Sequence, residues 1–126
     1  MDLFNLIVFE VYHRCTIDFP SDACFTADEV VEDIKGYYDD NEVSSEAVSN
    51  KIYDTVYWLI REGFLRDRKC DAITFRVSLS HKGMEACNIK TALTGSTYFD
   101  EFKKGLKKQS APGALSLVTS FFSAAS

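Results

Sequence analysis

Apolar residues recur with helical spacing through the first part of the chain. Residues 2–14 are apolar around most of a helix circumference, which predicts a first helix buried on more than one side, either in the core or at a dimer interface. A strand remains an alternative there, because Val, Ile and Phe also suit a sheet. Residues 16–25, which include Pro20, are predicted to form a loop.

Two further helices begin at recognisable caps. Thr26 and Glu29 form a capping box that predicts the start of a second helix, which ends before the acidic stretch 39–42. Ser44 or Ser45 is positioned to cap a third helix, and Gly63 to end it. The apolar face of this third helix is spaced by four, four and three residues: Val48, Ile52, Val56 and Leu59.

The period changes after Gly63. Alternating apolar residues over 73–79 predict a half-buried strand that pairs with residues 64–65, giving a hairpin whose tip lies at 69–72. Ser80 is expected to cap a fourth helix from His81 to Ala92. Residues 99–109 are a Lys-rich helix or linker, and the uncharged segment 111–126 is predicted to be an amphipathic helix. We therefore expect a domain at 1–95 and a docking or oligomerisation segment at 96–126.

Composition narrows the protein class. The chain has 126 residues, 46% of them hydrophobic, which suffices for one folded domain. Its net charge of -5 does not by itself indicate nucleic-acid binding. The cysteines lack close pairing, which favours reduced thiols in a cytoplasmic protein, although His13 with Cys15 and Cys24, or His81 with Cys70 and Cys87, would be alternative metal sets. No apolar run is long enough to span a membrane.

The order of elements is similar to a known family. The segments Leu59-Ile60-Arg61-Glu62-Gly63-Phe64-Leu65 and Leu79-Ser80-His81-Lys82-Gly83-Met84-Glu85 bracket the hairpin, and together they resemble winged helix-turn-helix domains. Many such regulators open the helix behind the wing with leucine, a small hydroxyl residue, any residue, lysine and glycine. The resemblance covers roughly residues 26–90. It implies a mainly α fold with a small antiparallel hairpin and extra helices at both ends.

The resemblance also implies site residues. The third helix would read the major groove, and the wing would contact phosphates. The resemblance implies that the exposed face of this helix carries the base-reading residues, with Lys51 at its edge. They are Ser45, Ser49, Asn50, Lys51 and Tyr53, and Tyr57 lies on the same face. The implied phosphate-binding residues of the wing are Arg66, Arg68, Lys69 and Arg76. The acidic residues at 39, 40, 42 and 46 oppose this interpretation, because they would repel the DNA backbone.

These patterns lead to two functional hypotheses. The first is a cytoplasmic transcriptional regulator that binds duplex DNA as a homodimer, and the second is a winged-helix module that binds a protein partner. No motif predicts an enzyme, and no cofactor is expected. The residues expected at the dimer interface come from both ends of the chain: Leu3, Ile7, Val11, Leu115, Val118, Phe121 and Phe122.

Overall fold

The computed structural model describes residues 3–92 and 94–125, so Asp2 of the predicted first helix and Ser126 of the predicted last helix lie outside the described residues. The described parts are mainly helical, with a small three-stranded antiparallel sheet. In chain order the elements are α1 (Leu3–Asp18), β1 (Ala23–Thr26), α2 (Ala27–Ile34), α3 (Ser45–Arg61), β2 (Leu65–Asp67), β3 (Thr74–Leu79), α4 (His81–Cys87), α5 (Tyr98–Lys104) and α6 (Ala111–Ala125), with a 3-10 turn at Leu106–Lys108.

Helix α1 is the centre of the fold. Every residue from Leu6 to Tyr12 is buried, and the helix packs against α2, α3, α5 and α6. This explains why its sequence lacks a wide polar face, since a helix surrounded by other helices has little surface to expose to water. The helix prediction is confirmed, and the strand alternative for this segment is wrong.

The predicted loop at 16–25 is wrong at both ends. Helix α1 continues to Asp18, and Ala23–Thr26 form the edge strand β1. The sheet order is β1-β3-β2, so the predicted two-stranded hairpin gains a third strand, with Ala23 opposite Val77 and Phe25 opposite Phe75. Four residues are too few to show an alternation, and the partner strand lies some fifty positions away in the sequence.

Helix α4 is shorter than predicted. It ends at Cys87 instead of Ala92, and the chain then forms a loop that is closed by a bridge between Lys90 and Thr97. Thr97 caps α5 by accepting a hydrogen bond from the backbone N–H of Asp100. The lysines expected in a helix or linker therefore occupy the last turn of α5 and the 3-10 turn that follows it.

The C-terminal helices pack onto α1 of the same chain. The Tyr12 ring stacks on Phe102 of α5 at a centroid distance of 5.0 Å and meets Phe121 of α6 edge-on at 5.1 Å. Helix α6 buries Leu117, whereas Leu115, which the sequence placed on the apolar side, is only partly buried. The buried residues of α6 are Ala114, Leu117, Val118 and Phe121.

This packing corrects the predicted dimer interface. Ile7, Val11, Val118 and Phe121 have no exposed surface in the single chain. They belong to its own core, because large apolar side chains from both ends of the chain cover one another. Of the expected interface residues, Leu3, Leu115 and Phe122 are partly exposed. The dimer itself stays a prediction.

Candidate nucleic-acid interface

Helix α3 presents the polar surface on which the nucleic-acid prediction depends. The Ser44 hydroxyl caps it by accepting a hydrogen bond from the backbone N–H of Ala47 at 3.1 Å, and Gly63, at φ 81°, follows its end. Its buried face is Val48, Ile52, Thr55, Val56 and Leu59. The face turned outward therefore runs through Glu46, Asn50, Asp54, Tyr57 and Arg61, all of which are exposed.

The predicted base-reading residues do not share one face. Ser45 and Asn50 are exposed and Ser49 is half-buried. Lys51 lies at the edge of the outward surface toward α1. It lines a shallow groove there with Phe4 and Trp58, to which the outward-facing Asp54 and Arg61 also contribute. The sequence prediction omitted Asp54 and Arg61 from this surface, although the helical repeat from Asn50 could have identified both.

Tyr53 connects α3 to the hairpin. Its hydroxyl donates to the backbone carbonyl of Ala72 at 3.3 Å, and its ring lies 4.9 Å from that of Phe75 in β3. Tyr57 also meets Phe75, at 6.0 Å, and keeps 38% of its surface exposed. Tyr53 is thus engaged in holding the hairpin, and the neighbouring Tyr57 is the tyrosine that the outward surface offers to a partner.

Two aspartates build the hairpin tip. The Asp67 carboxylate accepts hydrogen bonds from the backbone N–H groups of Lys69 and Cys70, at 2.9 and 2.8 Å. The Asp71 carboxylate accepts from the N–H groups of Ile73 and Thr74, at 2.8 and 2.7 Å. These backbone donors lower the pKa of both carboxyls, because they stabilise the charged form. Both acids are therefore structural parts of the turn.

The basic side chains of the hairpin lie mainly on the outer sheet face. Arg76 follows Phe75, whose ring packs on α3, so Arg76 points away from that helix. Arg66 pairs with Ser78, which is on the same face as Arg76. Arg68 forms an ion pair with Asp22 at 3.3 Å. We call the exposed group Arg66, Arg68 and Arg76 the outer basic patch.

Lys69 is the residue that places positive charge at the end of the hairpin. Its φ of 81° is in the left-handed region, where a side chain with a Cβ is strained, and the two hydrogen bonds of the Asp67 turn hold it there. Together with Arg68 and Arg76 it lines an open depression of about 580 Å³ that also contains Asp22 and Asp67. Anionic groups of a ligand would meet three cations and two carboxylates there.

The leucine–serine–histidine–lysine–glycine segment has a packing role. The Ser80 hydroxyl donates to the backbone carbonyl of Gly63 and accepts from the N–H of Gly83. The Lys82 ammonium donates to the carbonyl of Glu62 at 2.9 Å and lies 4.4 Å from the centre of the Phe64 ring. The segment thus fastens α4 to the end of α3, whose last carbonyls need donors.

The described residues include four free cysteines, but they form neither a metal-binding cluster nor a membrane-spanning helix. Across residues 3–92 and 94–125, no group of three or more His, Cys, Asp or Glu side chains is arranged to hold a metal. The four cysteines are free thiols, and burial raises the pKa of Cys15 and Cys87 well above the usual value, which keeps both protonated. Within the same ranges, no helix has the length and hydrophobicity to cross a bilayer.

Comparison with known proteins gives no relative from which a role could be transferred. No protein-family model matches the chain, and neither a curated protein nor a solved structure matches it.

Proposed function

We propose that residues 1–95 form a winged helix-turn-helix domain and that the protein is a cytoplasmic, dimeric regulator that binds duplex DNA. The order α1-β1-α2-α3-β2-β3 supports this proposal, together with the hairpin that projects beside the third helix. The observation that carries it is the bond from Tyr53 to Ala72, because it joins the outward surface of α3 and the hairpin tip into one continuous surface.

The proposed contacts divide between reading and anchoring. Asn50 is exposed in the second turn of α3, and an asparagine amide can both donate to and accept from the edge of adenine. Arg61 and Lys69 are exposed on α3 and on the hairpin tip, where each could neutralise a phosphate. Glu46 and Asp54 on the same helix offset part of this attraction, so the net electrostatic contribution is small.

The test is binding of the intact chain to a pool of random duplexes over a range of salt concentrations. We expect enrichment of a sequence, and affinity that falls with salt. Lys69→Ala should reduce the slope of log affinity against log salt by about 1, and Asn50→Ala should relax the selected sequence. Arg66→Ala is the matched control, because it removes an equally exposed cation on the sheet face directed away from α3 and should leave the selection unchanged.

Two results would overturn the DNA proposal. One is the absence of any salt-dependent shift at low salt. The other is binding that depends on Arg66 and is unaffected at Asn50 and Lys69, since that would place the nucleic acid on the outer basic patch instead of on α3.

A protein partner is the second candidate. It is favoured by the balanced charges along the outward face of α3 and by two apolar side chains at its hairpin side: Tyr57 is 38% exposed and Ile73 is 69% exposed. Exposed aromatic groups beside mixed charges are typical of protein interfaces. This function predicts that Tyr57→Ala abolishes capture of a partner from a lysate at a temperature at which the variant is folded. Circular dichroism checks the fold, because loss of the Tyr57 contact with Phe75 should lower the melting temperature.

A further inference from the structure

A cavity separate from α3 and the hairpin lies between α1, α2 and the chain that follows α5. Its volume is about 230 Å³, and it is lined by Glu10, His13, Asp33, Tyr37 and residues 104–107. Ligand pockets for drug-sized molecules enclose roughly 300–1,000 Å³, so a smaller metabolite would fill this one. Because neither the exposed strip of α3 nor the hairpin contributes to its walls, its role is independent of the function proposed above.

One wall of the cavity has more negative than positive charge. Arg14 donates from Nε to Glu10 at 2.9 Å and also pairs with Asp33 at 2.5 Å and Glu29 at 3.5 Å. A single guanidinium thus serves three carboxyls, and Glu10 is only 3% exposed. Burial raises the pKa of Glu10 to about 7, with Arg14 opposing the rise and Asp33 adding to it. The Asp33 side chain lines the cavity and is 53% exposed, so its carboxylate has oxygen lone pairs for a second cation while Arg14 stays bound.

His13 lies one turn after Glu10 on α1, and the opposite wall offers cations. His13 Nδ1 lies 2.9 Å from the backbone carbonyl of Phe102, which can only accept, so Nδ1 carries the proton and Nε2 is left for another partner. Gly105 packs against the His13 ring, and a Cβ at Gly105 would lie 2.9 Å from His13 Cε1. Lys104 is held by Glu101 at 3.0 Å. Lys107 is exposed and makes no ion pair within the described ranges.

We propose that this cavity binds a small zwitterion of the α-amino-acid class. Its ammonium group would donate to Glu10, Asp33 and His13 Nε2, and its carboxylate would lie against Lys107. Each charge of the ligand then faces an opposite charge on the protein, and each contact is a charge-assisted hydrogen bond. An arriving ammonium favours the ionised form of Glu10, so that binding near neutral pH releases a proton to solvent.

Titration calorimetry of the intact chain with each common L-amino acid in turn tests the ligand class. We expect at least one to bind saturably, with a heat that differs between two buffers of different ionisation enthalpy because a proton is released. The corresponding amine without the carboxylate, and the corresponding acid without the amine, should each bind at least about tenfold weaker, which is about 1.4 kcal/mol. Absence of saturable heat for every amino acid at about 10 mM would overturn the proposal, since weaker binding is not specific recognition.

Three substitutions test the location. Asp33→Asn and Lys107→Ala alter exposed side chains on opposite walls, and each should weaken the best ligand at least about tenfold. Lys108→Ala is the matched control, because it removes an exposed lysine next in the chain that does not line the cavity. Equal binding to all three variants would place the amino acid elsewhere and overturn the assignment. None of these readouts involves DNA, so the outcome does not depend on the function proposed for α3.

Discussion

Replacement of Gly83 by alanine should disturb the packing of α4 against the backbone at Phe64. Gly83 is buried in the first turn of that helix, and a Cβ at its position would come 2.1 Å from the backbone oxygen of Phe64 and 3.2 Å from the carbonyl carbon. The Phe64 oxygen is a backbone atom, so no side-chain rotation can move it away from the new methyl group. The same oxygen accepts a hydrogen bond from the N–H of Ser80 at 3.3 Å, so any shift of α4 that relieves the contact also lengthens this bond.

The magnitude follows from opposing contributions. Alanine is favoured over glycine within a helix by about 1 kcal/mol. Against this, forcing a methyl group into a packed site costs about 1–3 kcal/mol, and weakening the Ser80 bond costs about 1 kcal/mol. We expect a net loss of about 2 kcal/mol in the free energy of unfolding. With about 2.1 cal/mol/K of unfolding entropy per residue, the melting temperature should fall by about 8 °C.

Circular dichroism during thermal and urea unfolding measures this change. Gly113→Ala is the matched control, since the close contact of a Cβ there, at 2.8 Å, is with the hydroxyl oxygen of the Ser110 side chain and not with main chain. Rotation of that hydroxyl would lose its hydrogen bond from the Gly113 N–H, at a cost of about 1 kcal/mol, which the helix preference of alanine, also about 1 kcal/mol, offsets. We therefore expect the control to melt close to the parent temperature. If Gly83→Ala melts within about 2 °C of the parent, the loss is under about 1 kcal/mol and α4 does not contact Phe64 in the way described.

Three other predictions concern the core, pH and the hairpin. Phe121→Ala should lower the free energy of unfolding by about 3–5 kcal/mol in urea titrations, because the ring is fully buried. Ile73→Ala, at a side chain that is 69% exposed, should change it by less than about 1 kcal/mol. Equal effects of the two substitutions would refute the packing of α6. The pKa of Glu10 is raised to about 7 in the folded chain, so its contribution to the free energy of unfolding is complete below pH 4.5 and is lost as the pH rises through 7, on the order of 3 kcal/mol in total. Glu10→Gln should flatten this pH dependence when unfolding is measured at several pH values. An unchanged slope would refute the assignment. Lys69→Gly should leave the free energy of unfolding unchanged or raise it by up to about 1 kcal/mol, because glycine adopts a φ of 81° without strain. The melting temperature measures this change. A clear fall would show that the lysine side chain stabilises the hairpin tip.

Much of the helical framework could be predicted from local sequence. The hydroxyls of Thr26, Ser44 and Ser80 each cap the helix that follows, because an N-terminal cap depends on atoms only three residues away. The alternation over 73–79 likewise predicted β3, since one sheet face is buried and the other is exposed. Strand β1 could not be predicted in this way, because four residues carry no clear period and its partner is distant.

The candidate interface was less predictable than the fold. The sequence placed Asn50 on the exposed face of α3, where the structure has it, but omitted Asp54 and Arg61. It also assigned Tyr53 to base reading, although the Tyr53 hydroxyl is bonded to the hairpin. Asp67 and Asp71 organise the hairpin tip through backbone hydrogen bonds, a role that no sequence pattern indicated. Side-chain direction and backbone hydrogen bonding determine these roles, and neither is a property of composition.

By itself, the sequence determined where the principal helices begin and that one long alternating segment forms a strand, because caps and periodicity are local. The tertiary structure alone decided which apolar faces meet. It placed Ile7, Val11, Val118 and Phe121 in one intrachain core, and it brought residues far apart in sequence to the walls of one cavity. The physical reason is that the hydrophobic effect is non-directional. The sequence shows which side chains are apolar and favour burial, but only the packing of the whole chain determines which of them come into contact.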